Sequence, residues 1–164
     1  IDREGADDFN EFAVAVGHKL NPCRKVDAGS FRVYSEDYTG DNDHVFYKWI
    51  SGPRFWIVEL PGADPETFQV MGLGLAKDKN NVWKNDTIVT GADSKSASAI
   101  EAGRVWLDAN HVWFHGNIIE GADPKSFEAV GDGYHYRDTT RVYWIFNVVK
   151  VVEGVDPKTF KPTS

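Results

Sequence analysis

The sequence predicts a mainly β fold: tandem β-hairpin repeats of about thirty residues, each with a short helical turn, and an α-helix capping the N-terminal end. Three observations carry that reading. The segments "DNDHVF" (Asp41–Phe46), "DKNNVW" (Asp78–Trp83), "DANHVW" (Asp108–Trp113) and "DTTRVY" (Asp138–Tyr143) share one pattern, in which Asp and three turn residues precede Val and an aromatic. A second phrase travels with it: "GADPETF" from Gly62, "GADSKSA" from Gly91, "GADPKSF" from Gly121 and "GVDPKTF" from Gly154. The spacing is also regular. From each glycine to the next aspartate is 16, 17 and 17 residues, and from aspartate to glycine is 13 in two units, 16 in the last and 21 in the first.

The elements follow in order. In "DDFNEFAVAVGHKL", Asp8 and Glu11 form a capping-box pattern, and Phe9, Phe12, Ala13, Val16 and Leu20 recur at helical spacing. That predicts a helix over roughly 8–20 covering the open end of the repeats. "VDAGSF" (Val26–Phe31) is a degenerate form of the helical-turn phrase, standing where that phrase should precede Asp41. Segments such as "GRVWLD" and "GYHYRD" alternate large and polar side chains, reach Asp, and resume with Val and an aromatic, which reads as strand, turn, strand. The aspartate accepts hydrogen bonds from the backbone amides just ahead of it. In "GADPKSF", Gly121 ends the strand, Asp123 is the N-cap and Pro124 takes the first helical position; Phe127 then falls back as a buried plug. A lone hairpin is not stable, so neighbouring units must share a core, and residues 1–164 read as one repeat domain with hairpins over about 26–160. The run "YWIFNVVKVVEG", with Trp144, Ile145, Phe146, Val148, Val149, Val151 and Val152, predicts a long strand buried on both faces or covered by the N-terminal helix.

Composition bounds the function. The 164 residues are 41% hydrophobic and carry a formal charge of −7, from 18 basic and 25 acidic side chains. An acidic chain repels phosphate backbones, so nucleic acid is not an expected partner, whereas a basic protein would be drawn in. No apolar run is long enough to predict a transmembrane segment. Cys23 is alone and forms neither an internal disulfide nor a Cys-based metal site. The sequence opens on Ile1 rather than Met, which a removed signal peptide and a trimmed chain explain equally well.

Asp78-Lys79-Asn80-Asn81-Val82-Trp83 followed by Gly91-Ala92-Asp93, with Gly121 through Phe127 downstream, resembles the DKNYY repeat family. This is a bacterial group whose repeats run close to D-K-N-x-V-Y-Y and then G-A-D-P-x-[ST]-F. The resemblance spans roughly residues 26–160. Ala109 and Thr139 stand where the second unit has Lys79, Lys84 occupies the second aromatic position, and Ser94 replaces proline. A scaffold repeat tolerates such drift. The family is largely uncharacterised, and the resemblance implies an exported or envelope-associated bacterial protein with no catalytic residues.

A search for chemistry finds little. The histidines are His18, His44, His111, His115 and His135. His111 and His115 are spaced like helical zinc ligands, but on a strand they share a face about 13 Å apart and cannot hold one metal. "DYTGDND" offers Asp37, Asp41 and Asp43 as a weak calcium candidate, against the reading that they cap turns. There is no G-x-S-x-G, phosphate-cradling glycine loop or paired cysteine. The expectation is therefore a protein that is not an enzyme and uses no cofactor.

The repeat breaks in its first unit, where eight extra residues (21 against 13) fall within "YKWISGPRFWIVELP". Trp49 and Trp56 flank Ser51-Gly52-Pro53-Arg54, and irregular loops on rigid frames often bind through Trp and Arg. Trp49, Arg54 and Trp56 are thus the candidate partner-binding residues; the alternative is a longer hairpin whose tryptophans pack inward. Two functions are open. One is a protein-binding module, an immunity or inhibitor protein neutralising a basic toxin, located in the bacterial cell envelope or periplasm, with the cytoplasm as the alternative. The other is a carbohydrate or cell-wall binding module built on repeated aromatics. The direction of those rings separates them. An exposed ladder of Tyr34, Trp106 and Tyr136, or of Trp83, Trp113 and Tyr143, favours sugar, and buried rings favour protein. The expectation is that they face inward.

Overall fold

The computed structural model describes residues 26–100, 103–131 and 133–162. The helix predicted over 8–20 lies outside the described residues. The chain divides into two compact units, residues 1–66 and 67–164.

In the first unit β1 (Arg32–Val33), β2 (Tyr38–Gly40), β3 (Val45–Ser51) and β4 (Arg54–Glu59) form one antiparallel sheet in chain order. The second unit holds three sheets of the same topology. The first comprises β5 (Gln69–Gly72), β6 (Leu75–Lys77), β7 (Val82–Lys84) and β8 (Thr87–Ile88). Then come β9 (Ser98–Ile100), β10 (Val105–Leu107), β11 (Val112–Phe114) and β12 (Asn117–Ile118). The last comprises β13 (Glu128–Ala129), β14 (His135–Arg137), β15 (Val142–Ile145) and β16 (Val149–Val151).

The predicted hairpins are therefore present as β2–β3, β6–β7, β10–β11 and β14–β15, but each is the centre of a four-stranded meander. The added strands are mostly too short to announce themselves by alternation: Asn117–Ile118 is two residues. They form because a bare hairpin would leave two open edges, and pairing them completes the ladder.

The G-x-D phrase makes a single closed turn, and no helix occurs among the described residues. The predicted cap is nonetheless there. Asp123 Oδ1 accepts the Lys125 amide at 3.1 Å, just past Pro124, and in the preceding repeat Ala97 N–H reaches Asp93 O at 3.0 Å, one helical turn that is not continued. The chain must then extend into the next strand, so helix growth stops.

Phe127 does serve as a plug, but between two sheets rather than on one hairpin. Its cluster takes Val105, Val112 and Phe114 from the third sheet, Ile119 just past that sheet's last strand, and Tyr136, Tyr143 and Ile145 from the fourth. The equivalent joint between the second and third sheets uses Ala97 with Leu75, Val82, Val89, Trp106 and Trp113. The small plug is matched by larger rings: Trp106 and Trp113 stack 4.9 Å apart and nearly parallel, where the next joint has Tyr136 and Tyr143 around Phe127. Close packing is thus kept by exchanging volume between plug and sheet. The sheets approach closely at Gly103. A Cβ there would stand 3.0 Å from the Gly72 carbonyl oxygen, and its φ of +80° lies in the left-handed region.

The run from Trp144 to Val152 is not one buried strand. It folds back at Phe146–Val148 between β15 and β16, and Phe146, Val148 and Val151 are exposed. The three extra residues lengthen the hairpin tip instead of deepening the core. Of the run, only Ile145 is fully buried.

Candidate functional site

The repeated aspartates are the joints of the scaffold. Asp41, Asp78, Asp108 and Asp138 are each at most 3% exposed. Asp108 Oδ1 accepts the amides of Asn110 and His111, both at 2.8 Å, while Oδ2 accepts the Asp93 amide at 3.1 Å and the Trp113 indole at 3.0 Å. Asp138 repeats this with Thr140 and Arg141 on Oδ1, and with Asp123 N–H at 3.2 Å and the Tyr143 hydroxyl at 2.6 Å on Oδ2. Asp78 takes Asn80, Asn81 and the Trp83 indole. The aromatic five residues on is Trp or Tyr in these units because the ring needs a polar hydrogen. Phe46 has none, and in its unit the His44 ring nitrogen stands 3.2 Å from Asp41 Oδ1 instead.

A hydroxyl completes each joint. Ser126 Oγ donates to Asp123 Oδ2 at 2.6 Å and accepts the Thr139 amide at 3.2 Å. Ser96 bridges Asp93 and Ala109 in the same way, and Ser30 bridges Asp27 and Asn42. "VDAGSF" is therefore a working turn in its polar contacts, with Asp27 N–H on Asp41 Oδ2 at 3.0 Å. Its plug differs, however: Phe31 is 50% exposed, whereas Phe68, Ala97 and Phe127 are 6%, 3% and 6%.

Burial alone would raise the pKa of these carboxylates, but donated hydrogen bonds outweigh it. Asp41 falls to about 2 through the Asp27, Asp43 and His44 amides and the adjacent imidazole. Asp138 also falls to about 2, through the Tyr143 and Thr140 hydroxyls and the Thr140 and Asp123 amides. Tyr143 is pushed up by burial and by the Asp138 carboxylate. Acids held this far below neutrality with both oxygens occupied are structural anchors, unsuited to proton transfer.

Both oxygens of Asp41 face N–H donors, Asp43 contributes its own amide to Asp41, and Asp37 offers its carbonyl to Lys48. Among the described residues no group of three His, Cys, Asp or Glu side chains is gathered as a metal site needs. His111 and His115 flank β11, with His115 in a left-handed turn (φ 49°) and its pKa lowered by burial and by Lys84 and Arg104.

The extra residues of the first unit lengthen β3 and β4 into a hairpin that outreaches the others. Six cross-strand pairs join the two strands, with Trp49 opposite Trp56 and Ile50 opposite Phe55. Gly52 (φ 59°) and Pro53 make the turn, and Arg54 stands opposite Ser51 beside it. The two faces differ in kind. On one, Tyr38, Tyr47, Trp49 and Trp56 contact each other in sequence at 5.0, 5.3 and 6.1 Å, and Trp56 is 6% exposed with Trp49 half-buried. On the other, Ile50 is 60% exposed, Phe55 53% and Ile57 37%. The candidate tryptophans thus stiffen the hairpin from behind, and the side chains offered to solvent are Ile50, Phe55 and Ile57. Alternation along β4 could have found them: if Trp56 faces in, Phe55 and Ile57 face out.

The repeated aromatics are buried. Trp83, Trp106, Trp113, Tyr136 and Tyr143 are each at most 3% exposed, and Tyr34 is half-buried with its hydroxyl donating to the Pro65 carbonyl. With the buried aspartate, its ring partner and the G-x-D turn explained as one device, the sequence comparison has a structural meaning: the DKNYY family profile matches residues 50–164. The chain belongs to the DKNYY family. The match starts within β3, so the first sheet, where Phe46 and His44 alter the joint, is mostly the part that departs from the DKNYY pattern. No curated protein and no solved structure matches the chain. Among the described residues of this DKNYY protein, no helix is long and apolar enough to cross a membrane.

Proposed function

We propose that this protein is a non-enzymatic protein-binding module whose contact surface is the tip of the β3–β4 hairpin. The observation that carries the reading is the division of faces on that hairpin: Trp49 and Trp56 stacked on the inner side, Ile50 and Phe55 more than half exposed on the outer. Large apolar side chains held out by a rigid aromatic backing are poor for solubility and good for recognition. The net charge of −7 favours a basic partner, and the finer reading is an immunity or inhibitor protein that neutralises a basic toxin in a bacterial envelope or periplasm. Arg54 belongs to this surface by its position beside the turn. The sugar-platform alternative needs the repeated rings to face solvent, and their burial gives it no support.

The test is capture followed by titration. Wild type and an Ile50→Glu/Phe55→Glu variant are each immobilised, and a protein retained by the wild type is purified and titrated against both. The variant should bind it about 100-fold more weakly with an unchanged melting temperature. Equal affinity for both chains would refute the hairpin as the contact surface. Retention of purified cell-wall glycan by both, with no protein partner, would favour the alternative.

A further inference from the structure

We propose that residues 27–33 form a detachable strap: the first turn and β1 open as one piece from the edge of β2, while the rest of the first sheet stays folded. The strap contains no buried side chain. Its two large apolar residues, Phe31 and Val33, are 50% and 67% exposed, whereas the plugs Phe68, Ala97 and Phe127 of the later turns are at most 6% exposed.

What holds the strap down is polar. The Asp27 amide donates to Asp41 Oδ2 at 3.0 Å, Ser30 Oγ accepts the Asn42 amide at 3.2 Å, and Arg32 donates to the Asn42 side chain. Two residues, Arg32 and Val33, pair with Gly40 and Thr39. Each of these bonds replaces one to water, so its net contribution is small where little apolar surface is buried beside it. A segment with few buried apolar contacts opens at a lower free energy than the whole fold.

The sequence of the turn agrees. Ala28 stands where Pro65, Pro124 and Pro157 fix the backbone of other turns, and Gly29 where they have Glu66, Lys125 and Lys158. The backbone does not require this glycine. Its φ lies outside the left-handed region, and a Cβ there would meet Asp27 Oδ1 at an ordinary contact of 3.4 Å. Both choices leave the open chain more freedom to lose on closing.

The remainder survives opening. Asp41 keeps the Asp43 and His44 amides of its own loop on Oδ1, and His44 Nδ1 lies 3.5 Å from Oδ2, the oxygen that Asp27 leaves. Tyr34 ends the strap, half-buried and with its hydroxyl on the Pro65 carbonyl at 3.0 Å. Strands β2, β3 and β4 stay paired around the buried Tyr38 and Val45. Opening therefore bares the hydrogen-bonding edge of β2 without unfolding the sheet.

Native-state amide exchange of the full chain tests this. The Asp27 and Asn42 amides should exchange together, with little dependence on added denaturant. They should do so about tenfold faster than Asp123 and Thr139, which make the same bonds in the turn over 123–127. The Asp43 and His44 amides should keep the protection of the sheet. Ala28→Pro/Gly29→Lys, which copies the turn over 123–127, should slow exchange at Asp27 and Asn42 about fivefold and leave His44 unchanged. Exchange of Asp27 and Asn42 only together with Asp43 and His44 overturns the proposal, and so does a double variant that exchanges as the wild type does. These results do not depend on the Ile50 and Phe55 surface, which the capture experiment addresses separately.

Discussion

The hydroxyl of Tyr143 donates to Oδ2 of the buried Asp138 across 2.6 Å, and the same oxygen accepts the Asp123 amide from the turn before the sheet. One carboxylate therefore ties together a turn, a strand and a neighbouring segment. Tyr143→Phe keeps the ring and removes one donor from a buried anion, which costs about 2 kcal/mol. Chemical denaturation should show that loss with an unchanged m-value. Trp113→Phe removes the matching indole donor to Asp108, at 3.0 Å, and buried ring volume stacked on Trp106 as well, so it should cost more.

Acid should release these joints. Asp41 and Asp138 titrate near 2 in the folded chain, below the ordinary 3.8. A depressed carboxylate pKa contributes stability that is fully present above the unfolded value and is lost as pH falls through the folded one. The melting temperature should thus be insensitive to these groups above about pH 5 and should drop between about pH 4 and 2. In Tyr143→Phe the drop should be smaller and should level off at higher pH, because Asp138 loses a hydrogen bond to its charged form and its folded pKa moves back toward the unfolded value. A melting curve of this variant with the wild-type acid midpoint would contradict that assignment.

Ala97 and Phe127 fill equivalent positions, the first beside Trp106 and Trp113, the second beside Tyr136 and Tyr143. Ala97→Phe alone overpacks a joint already filled by stacked indoles and should destabilise by about 2 kcal/mol. Adding Trp106→Tyr and Trp113→Tyr reproduces the ring set of the next joint. Thermal melts should rank the triple variant above the single one, a reversal that independent, additive effects would not give.

The bridging hydroxyl is a third lever. Ser126→Ala leaves the Thr139 amide without its acceptor and Asp123 Oδ2 without its hydroxyl donor, and should cost about 1 kcal/mol. Ser126→Thr should be nearly neutral, because Thr67 Oγ1 already accepts the Lys79 amide at 3.0 Å in another joint. Amide hydrogen exchange at Thr139 reads the bond directly. Faster exchange in the alanine variant and wild-type exchange in the threonine variant is the expected outcome.

The repeat, the central hairpins, the amide-accepting aspartates and the inward rings were legible because they rest on local chemistry: Asp before a turn, and Val beside an aromatic. What lay beyond reach depended on the partner. Nothing local says that Trp113 Nε1 meets Asp108 five residues back, or that Asp93 N–H reaches across 15 residues to the same carboxylate. The outer strands were missed because Thr87–Ile88 and Asn117–Ile118 are too short to show a period. The run from Trp144 to Val152 read as core from its hydrophobicity, but hydrophobicity does not reveal a reversal at Asn147. At the hairpin the emphasis fell on Trp49 and Trp56 for their size, whereas strand alternation gives the exposed face to Ile50, Phe55 and Ile57.

Because each junction draws its donors from the turn and its acceptor from the sheet that follows, the indivisible unit of inheritance is the stretch from one glycine of the G-x-D phrase to the residue before the next, such as 91–120. Genetic duplication or deletion in that frame carries both halves of a junction together. Shifted by half a period, to begin at the buried aspartate, the same length of DNA would set a plug against one ring of its own junction and one of another, as Phe127 with Tyr136 and Trp113. Lengthening or shortening of such chains should therefore be phased to the glycine.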